Sequence, residues 1–228
     1  DARFMIVGTP SGISLAPEGG AHQSIATPLI GISQPGLLSF EPAFADELAL
    51  IMNYGFNYLQ DESGGSIYLR LTTRSIDQPM REIDNELKNN IIKGAYWLKK
   101  PGPNPEVIIV YQGAVASEAI ESTALLGEKF KNSGVLSITS SDKLFHEWKN
   151  QNSTSHIELL LECVPRDTRI ITVIDGHPMT LSWIGSIYGH KTIPLGVSSF
   201  GQTGKVEDLF KEFTIDSQSI SNLGFSIN

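Results

Sequence analysis

Short, uninterrupted apolar runs recur along the chain, and most are followed by a segment whose apolar residues have helical spacing. The strand-like runs and helical segments are 107–111, 116–131, 134–138, 143–149, 157–163, 169–174, 193–197 and 206–213. A strand that is apolar at every position is buried on both faces, and helices between such strands let them run parallel. The alternation therefore predicts an α/β fold with a mostly parallel sheet covered on both sides. Residues 217–228 are predicted to form a loose tail.

The first third of the chain has the same pattern and then changes composition. Its strand-like runs are 4–7, 37–40 and 66–71. Residues 72–90 are polar and charged, as in segments between domains. The predicted division is an incomplete domain at 1–75, a linker at 76–90 and a second α/β domain at 91–228. The first domain is expected to be incomplete because a buried parallel strand so near the start of the chain needs neighbours on both edges.

The composition excludes several classes of partner. The formal net charge of −8 repels nucleic acid, and no cluster of Lys and Arg with interleaved aromatic residues offsets it. No apolar stretch approaches the roughly 20 residues that cross a bilayer, so no membrane is expected as a partner. The single cysteine, Cys163, is predicted to be a small buried apolar residue, and its isolation favours a reducing, cytoplasmic location.

A carboxylate, two glycines and an imidazole stand close together in LAPEGGAHQS, shortly after the first predicted strand. A histidine such as His22 donates or accepts a proton near neutral pH, and Glu18 can orient it or a substrate hydroxyl. Gly19 and Gly20 let the backbone pass close to a ligand. A single histidine is more often structural than catalytic, but these neighbours, at the carboxyl end of a strand, favour a reaction site with His22 as its catalytic residue.

Three other features are assigned structural roles. Glu41 is predicted to stabilise the start of the following helix through the helix dipole. The segment 201–205, GQTGK, departs from a phosphate-binding loop at two required positions, so nucleotide binding there is not expected. The segment Asp175-Gly176-His177 and His190 could together offer a pair of metal ligands, but no further ligand has a suitable spacing, so they are interpreted as loop residues after a strand. No metal site is therefore predicted, and His190 is assigned to an interface.

The segment TPSGISLAPEGGAHQS resembles the signature of the transketolase-type thiamine diphosphate enzymes, whose pyrimidine-binding domain carries EDGPTHQ at this point. Glu18 matches the aspartate of that signature and Gly19 its glycine. His22 and Gln23 match its histidine and glutamine. The resemblance is closer to the homodimeric pyruvate dehydrogenase family, through PEGGAHQS, TPLIG, FEPAFADELA, SGGSIYLRL, HPMTLSWIGSIYGHKTIPLGV and FGQTGKVEDLF. These motifs cover essentially the whole chain.

The resemblance implies both a fold and a reaction. Residues 1–75 would be the end of a transketolase-type pyrimidine-binding domain, and 91–228 a transketolase C-terminal-like domain. The implied enzyme is a homodimer that decarboxylates pyruvate with thiamine diphosphate and Mg²⁺ and passes the acetyl group to lipoyl groups of a partner acetyltransferase. His22 would line the active-site channel and move protons. The implied substrate-binding residues are Glu18, Gly19, Gly20 and Gln23.

Departures from the family patterns bear on the substrate and on cofactor binding. Pro10 stands where transketolases have a histidine for sugar phosphates, and Thr72-Thr73-Arg74 replaces the SRQ segment that carries their phosphate-binding arginine. A small 2-oxo acid such as pyruvate needs no such cations. The family's Mg²⁺ and diphosphate motif, GDG with a following asparagine, is absent, so this chain alone is expected to bind no cofactor and to be inactive. The alternatives are a transketolase that transfers two-carbon ketol units and a non-catalytic assembly module with the same fold.

Overall fold

The chain forms two β-sheets with helices packed against them. The computed structural model describes residues 2–150 and 152–226. The strands are β1 (Met5–Gly8), β2 (Leu37–Phe40), β3 (Ser66–Arg70), β4 (Ala95–Lys99), β5 (Val107–Gln112), β6 (Gly134–Ile138), β7 (Arg169–Ile174) and β8 (Thr192–Leu195). The helices are α1 (Thr27–Ser33), α2 (Ala45–Gln60), α3 (Asn85–Lys93), α4 (Ala116–Leu126), α5 (Ser141–Asn150), α6 (His156–Leu161), α7 (Met179–Ser182), α8 (Val206–Glu212) and α9 (Ser217–Phe225).

The first sheet contains three parallel strands in the order β1-β3-β2. Helix α2 connects β2 to β3 as a crossover and presents Ile51 to the sheet, where it packs with Phe40, Ile67 and Leu69. Parallel neighbours need such a crossover helix, because a tight turn cannot bring the chain back to the same end of the sheet. The three strands predicted for the first third of the chain are thereby confirmed.

The second sheet has the order β4-β6-β5-β7-β8, and all of its neighbouring strands are parallel except β4 with β6. Strand β5 lies at the centre and is buried at every position. Ile109 and Tyr111 pack into the core on one face of the sheet, while Ile108 and Val110 pack into the core on the other. This two-sided burial is what an uninterrupted apolar run requires, and the predicted α/β fold with a mostly parallel sheet is confirmed.

The end of the described chain is a helix and not the loose tail predicted for 217–228. Asp216 caps α9 by accepting hydrogen bonds from the backbone N–H groups of Gln218 and Ser219, at 3.1 Å each. The helix packs against α4, where Gly224 lies against the side chain of Leu126. The tail prediction was wrong because α9 has few apolar residues and owes its position to this contact. Residues 227–228 of the predicted tail lie outside the described residues.

The segment between the two sheets is irregular from residue 72 to 84, and α3 then begins inside the predicted linker. Two arginines fix this segment to its surroundings. Arg81 forms two hydrogen bonds of 2.8 Å to the Asp46 carboxylate. Arg74 binds the Glu118 carboxylate in the same forked manner, at 2.8 and 2.5 Å. The division at 76–90 remains a prediction.

Cys163 is exposed, so its assignment as a buried apolar residue was wrong. Helix α6 buries Ile157 and Leu161 and ends at Leu161, which leaves Cys163 in the turn beyond the buried face.

Within the part of the chain that the structure describes, no helix combines the length and the apolar character needed to span a bilayer.

Candidate active site

The carboxyl ends of strands from both sheets meet, and polar side chains fill the space between them. Arg70, the last residue of β3, forms a buried ion pair with Glu41, which follows β2. Gln112, at the end of β5, donates a hydrogen bond of 2.9 Å from Nε2 to the Glu41 carboxylate. Arg70 also donates from Nη2 to the backbone oxygen of Asp175, just after β7, at 2.7 Å. These bonds connect the two sheets at the edge where α/β proteins place their binding residues.

Glu41 therefore does not serve the start of α2, and that prediction is corrected. The helix begins at Ala45, and Glu47 takes the role instead by accepting hydrogen bonds from the N–H groups of Ala43 and Phe44 at 2.8 and 3.1 Å. Burial raises the pKa of Glu41, and the nearby Arg70 guanidinium and Gln112 amide only partly offset this.

The segment from Gly12 to Ser24, here called the His22 loop, lies at this edge. It contains three short 3₁₀ turns, at Gly12–Ser14, Ala16–Glu18 and Gly20–His22. Gly12 and Gly19 have φ angles of +64° and +80°, which L side chains rarely adopt, and these positions interrupt any continuous helix. The loop is therefore a series of separate turns whose position depends on contacts with the rest of the protein.

The side chains of Glu18 and His22 are both exposed on the His22 loop. Within residues 2–150 and 152–226, no hydrogen bond joins the two side chains, and the His22 imidazole has no hydrogen-bond partner. The imidazole is therefore exposed to solvent. Its catalytic role and the orienting role of Glu18 remain predictions.

The two glycines of the motif lie directly against another segment of the same chain. A Cβ atom on Gly19 would overlap the Thr203 hydroxyl, and one on Gly20 would overlap the Phe200 ring and the backbone oxygen of Gly201. The GQTGK segment, considered above as a possible phosphate loop, thus packs directly against the His22 loop. The contact that the structure shows at Gly19 and Gly20 is with residues 200–203, and a close approach to a ligand remains a prediction.

Gln23 is buried and contacts backbone oxygens on two segments. Its Nε2 donates to Gln202 at 3.1 Å and to Leu15 at 3.5 Å. Its Oε1 is buried without a hydrogen-bond partner among the described residues, and Gly201 lies directly against this amide. The described contacts of Gln23 therefore hold the His22 loop against the GQTGK segment, and a contact with substrate remains a prediction.

Asp175 and the histidines that follow it differ in their surroundings. Asp175 is fully buried and accepts hydrogen bonds from the backbone N–H groups of Ile13 at 2.7 Å and Ser14 at 2.9 Å. Burial raises its pKa, an effect that Arg70 and the two amides oppose. His190 is buried with Nδ1 3.3 Å from the Thr168 oxygen, so its assignment to an interface is corrected. The strand-to-loop position of Asp175 was the only sequence signal for its role.

The described residues contain no cluster of side chains that fits Mg²⁺, and the absence of cofactor binding by this chain alone remains a prediction. Within residues 2–150 and 152–226, no three side chains of His, Cys, Asp or Glu lie together as metal ligands. The buried carboxylates of Glu41 and Asp175 accept hydrogen bonds from the chain itself. Hard cations prefer several oxygen ligands, and both of these carboxylates already have partners within the chain.

Comparison with known proteins identifies relatives of the whole chain. The pyruvate dehydrogenase E1 component of Buchnera aphidicola is 27% identical over 227 residues, which are 95% of this chain and 26% of that protein. Transketolase 1 of Candida albicans is 26% identical over 216 residues, 94% of this chain and 28% of that protein. A mutant transketolase from Pichia stipitis superimposes with a TM-score of 0.74 at 21% identity, covering 97% of this chain and 29% of that structure.

The chain thus spans between a quarter and a third of the length of these relatives. A family profile matches more than half of it: residues 94–216 match the transketolase-like TK C-terminal domain. These residues include the whole second sheet, from β4 to β8, and all of the helices from α4 to α8. The resemblance seen in the sequence motifs is confirmed, and the chain belongs to the transketolase-like family that this C-terminal domain defines.

Proposed function

We propose that this chain is the C-terminal part of a pyruvate dehydrogenase that decarboxylates pyruvate with thiamine diphosphate and Mg²⁺. The acetyl group would then pass to lipoyl groups of a partner acetyltransferase, and the assembled enzyme would be a homodimer. The relatives named pyruvate dehydrogenase E1 component support the proposal, since one of them aligns with 95% of the chain. Because the chain covers 26% of that relative, the proposed activity belongs to the full-length protein.

The environment of Arg74 is the observation that favours pyruvate over a sugar phosphate. Both terminal nitrogens of its guanidinium are bound to the Glu118 carboxylate, Nη1 also donates to the Ala114 oxygen at 3.0 Å, and the group stacks on the Phe210 ring. A phosphate would have to compete with this forked ion pair for the same donors. With Pro10 in place of a histidine, the segment offers no free cation to a sugar phosphate at these two positions, and a small 2-oxo acid needs none.

His22 is the proposed proton-transfer residue. Its imidazole is exposed and has no hydrogen-bond partner among the described residues, so both ring nitrogens are available to a substrate oxygen. Imidazole exchanges protons near neutral pH, which suits a group that must donate and accept in one reaction cycle. Glu18 is exposed on the same loop and is proposed to bind the substrate or orient the imidazole.

The first sheet supports assembly with other parts of a longer protein. Strand β1 is an edge strand of that sheet; Ile6 and Val7 on it and Phe4 just before it are exposed. Large apolar side chains in a row on an edge strand are typical of a contact surface. We infer that further structure of the assembled enzyme covers this edge and supplies the ligands for thiamine diphosphate and Mg²⁺.

The substrate assignment is tested with the full-length protein, supplied with thiamine diphosphate and Mg²⁺. Pyruvate decarboxylation is followed with an artificial electron acceptor, and ketol transfer is followed in parallel with sugar phosphates as donor and acceptor. Pyruvate turnover without ketol transfer is the expected result. Ketol transfer alone would establish the transketolase alternative. Activity in neither assay, from protein that binds the cofactor, would favour the non-catalytic assembly module.

The role of His22 is tested by His22→Ala in the same protein. Loss of a positioned acid or base is expected to lower pyruvate turnover by roughly 10²- to 10⁴-fold. The melting temperature should stay nearly unchanged, because the side chain is exposed. His146→Ala, which removes another exposed histidine from α5, is the matched control and should keep the parent turnover. A His22→Ala protein that melts early but turns over pyruvate at the parent rate while folded would show that His22 is structural.

A further inference from the structure

The start of the His22 loop is anchored by one buried carboxylate. Both carboxylate oxygens of Asp175 are used, since Oδ1 accepts from the Ile13 N–H at 2.7 Å and Oδ2 from the Ser14 N–H at 2.9 Å. Gly12 lies against this carboxylate so closely that a Cβ atom would overlap it, and its φ of +64° also favours glycine. The fit is therefore specific to a glycine followed by two free N–H groups.

The end of the His22 loop is anchored by Arg70. Its Nη2 donates to the backbone oxygen of Ser24 at 3.0 Å, and its Nε donates to the Thr27 hydroxyl at 3.1 Å. The Arg70 side chain is 2% exposed, and the ion pair with Glu41 compensates its charge. A buried guanidinium with these partners is held in one orientation, because its planar donors have fixed directions.

The two anchors are joined to each other. Nη2 of Arg70 also donates to the backbone oxygen of Asp175 at 2.7 Å, so the residue that holds one end of the loop is bonded to the residue that holds the other. Between the two anchors the loop contacts the GQTGK segment, through a hydrogen bond from the Gly204 N–H to the Ala16 oxygen at 3.3 Å and through Gln23. Inside the loop itself, backbone hydrogen bonds connect near neighbours only, as in those from Leu15 to Gly12 and from His22 to Gly19. Such local bonds do not fix where the loop lies relative to the sheets.

We propose that Asp175 and Arg70 form a pair of positioning residues that hold both ends of the His22 loop and thereby fix where Glu18 and His22 are presented. The proposal rests on the proposed function, because positioning matters only if these two side chains meet a substrate. Neither positioning residue is exposed, so they act on the reaction through the loop and not through contact with the substrate.

The pair is tested by amide hydrogen exchange and by NMR of the His22 ring, on the 228-residue chain. Asp175→Asn keeps one acceptor but turns an NH₂ group toward the second N–H. The amides of Ile13 and Ser14 are expected to exchange at least about tenfold faster, and the His22 ring resonances to move toward those of an unstructured histidine. The exchange of the β5 amides should change far less.

Asp142→Asn is the matched control. Asp142 is also buried and also accepts a backbone hydrogen bond, from Ser39 at 2.8 Å, on a different segment. The control should leave loop exchange and the His22 resonances as in the parent. If Asp175→Asn accelerates loop and β5 exchange equally, or leaves both readouts unchanged, the proposal is wrong.

Arg70→Lys tests the other end and also serves if Asp175→Asn does not fold. Lysine keeps the charge opposite Glu41 but lacks the planar fork that reaches Ser24 and Asp175 together. Faster exchange is expected at the amides of His22, Gln23 and Ile25, and unchanged exchange there would overturn the proposal. These readouts need no reaction, so a negative result is distinguishable from failure of the proposed function, which His22→Ala and the substrate assays examine.

Discussion

Asp142 illustrates how a single buried acid connects the two parts of the fold. It lies at the start of α5, where its carboxylate accepts hydrogen bonds from the Ser39 N–H at 2.8 Å and the Ser140 hydroxyl at 3.0 Å. Burial raises its pKa to about 6 from 3.8, although these hydrogen bonds oppose the change. The free-energy cost of ionising the buried carboxyl group therefore arises in the mildly acidic range of pH in which Asp142 loses its proton.

The stability of the chain is expected to respond to pH through Asp142. An acid with a raised pKa binds its proton more tightly in the folded chain, so its contribution is fully present at low pH and is lost as pH rises from about 4 to about 6. The loss is on the order of 1 to 3 kcal/mol in the free energy of unfolding.

Urea unfolding at several pH values compares the parent with Asp142→Asn, which cannot titrate. The free energy of unfolding of the parent should fall relative to that of the variant as pH rises through this window. A difference that stays constant, or that changes in the opposite direction, contradicts the assignment.

At the residue scale, the sequence indicated candidate catalytic side chains more readily than the buried residues that anchor their loop. His22 and Glu18 stand in one short motif, and in the structure both side chains are exposed on one loop. Asp175 could not be assigned its role from local spacing, because the Ile13 N–H group, from which it accepts a hydrogen bond, is 162 positions away. The pairing depends on how the ends of β1 and β7, from two different sheets, come together, and no short motif contains that information.

At the scale of elements, strands buried on both faces were the most predictable. The runs at 107–111, 134–138 and 169–174 became β5, β6 and β7, with boundaries that differ by at most one residue. Strand β4 was missed because it lies at the edge of the sheet and becomes less buried along its length. Its conformation depends on antiparallel pairing with β6, which is a property of the partner strand.

Helix α9 was missed for a related reason, and its capping residue provides a test. Asp216→Ala removes the acceptor for the N–H groups of Gln218 and Ser219, and loss of such a cap costs about 1 kcal/mol of stability. The loss is measured by urea unfolding. Asp208→Ala, an exposed acid in the first turn of α8, is the control and should cost less. Equal losses in the two variants would mean that charge, and not the cap, accounts for the effect.

At the scale of the whole molecule, the segment from 75 to 84 is the expected site of first cleavage by a protease of broad specificity. It has no regular structure, and Met80 is fully exposed, whereas β5, β6 and β7 are buried. Arg81 restrains the segment through Asp46, so Arg81→Ala should accelerate this cleavage. Mass spectrometry of the first fragments checks the prediction. Early cleavage within 107–174 would contradict it and the domain division near 76–90.

Cofactor binding by the isolated chain is the remaining prediction at this scale. The carboxylates of Glu41 and Asp175 are already hydrogen-bonded within the chain, and the described residues contain no group of three metal-ligating side chains. A diphosphate with Mg²⁺ would lack the oxygen ligands that it requires, so a Kd weaker than about 1 mM is expected.

Calorimetric titration of the 228-residue chain with thiamine diphosphate and Mg²⁺ measures this affinity, and the full-length protein is the positive control. Heat from the full-length protein but none from the chain is the expected pattern. This pattern is expected because, in the proposed enzyme, the chain contributes His22 on an anchored loop and other parts of the assembly contribute the cofactor ligands. Micromolar binding by the isolated chain would place a cofactor site within these residues and would require a different arrangement of the active site.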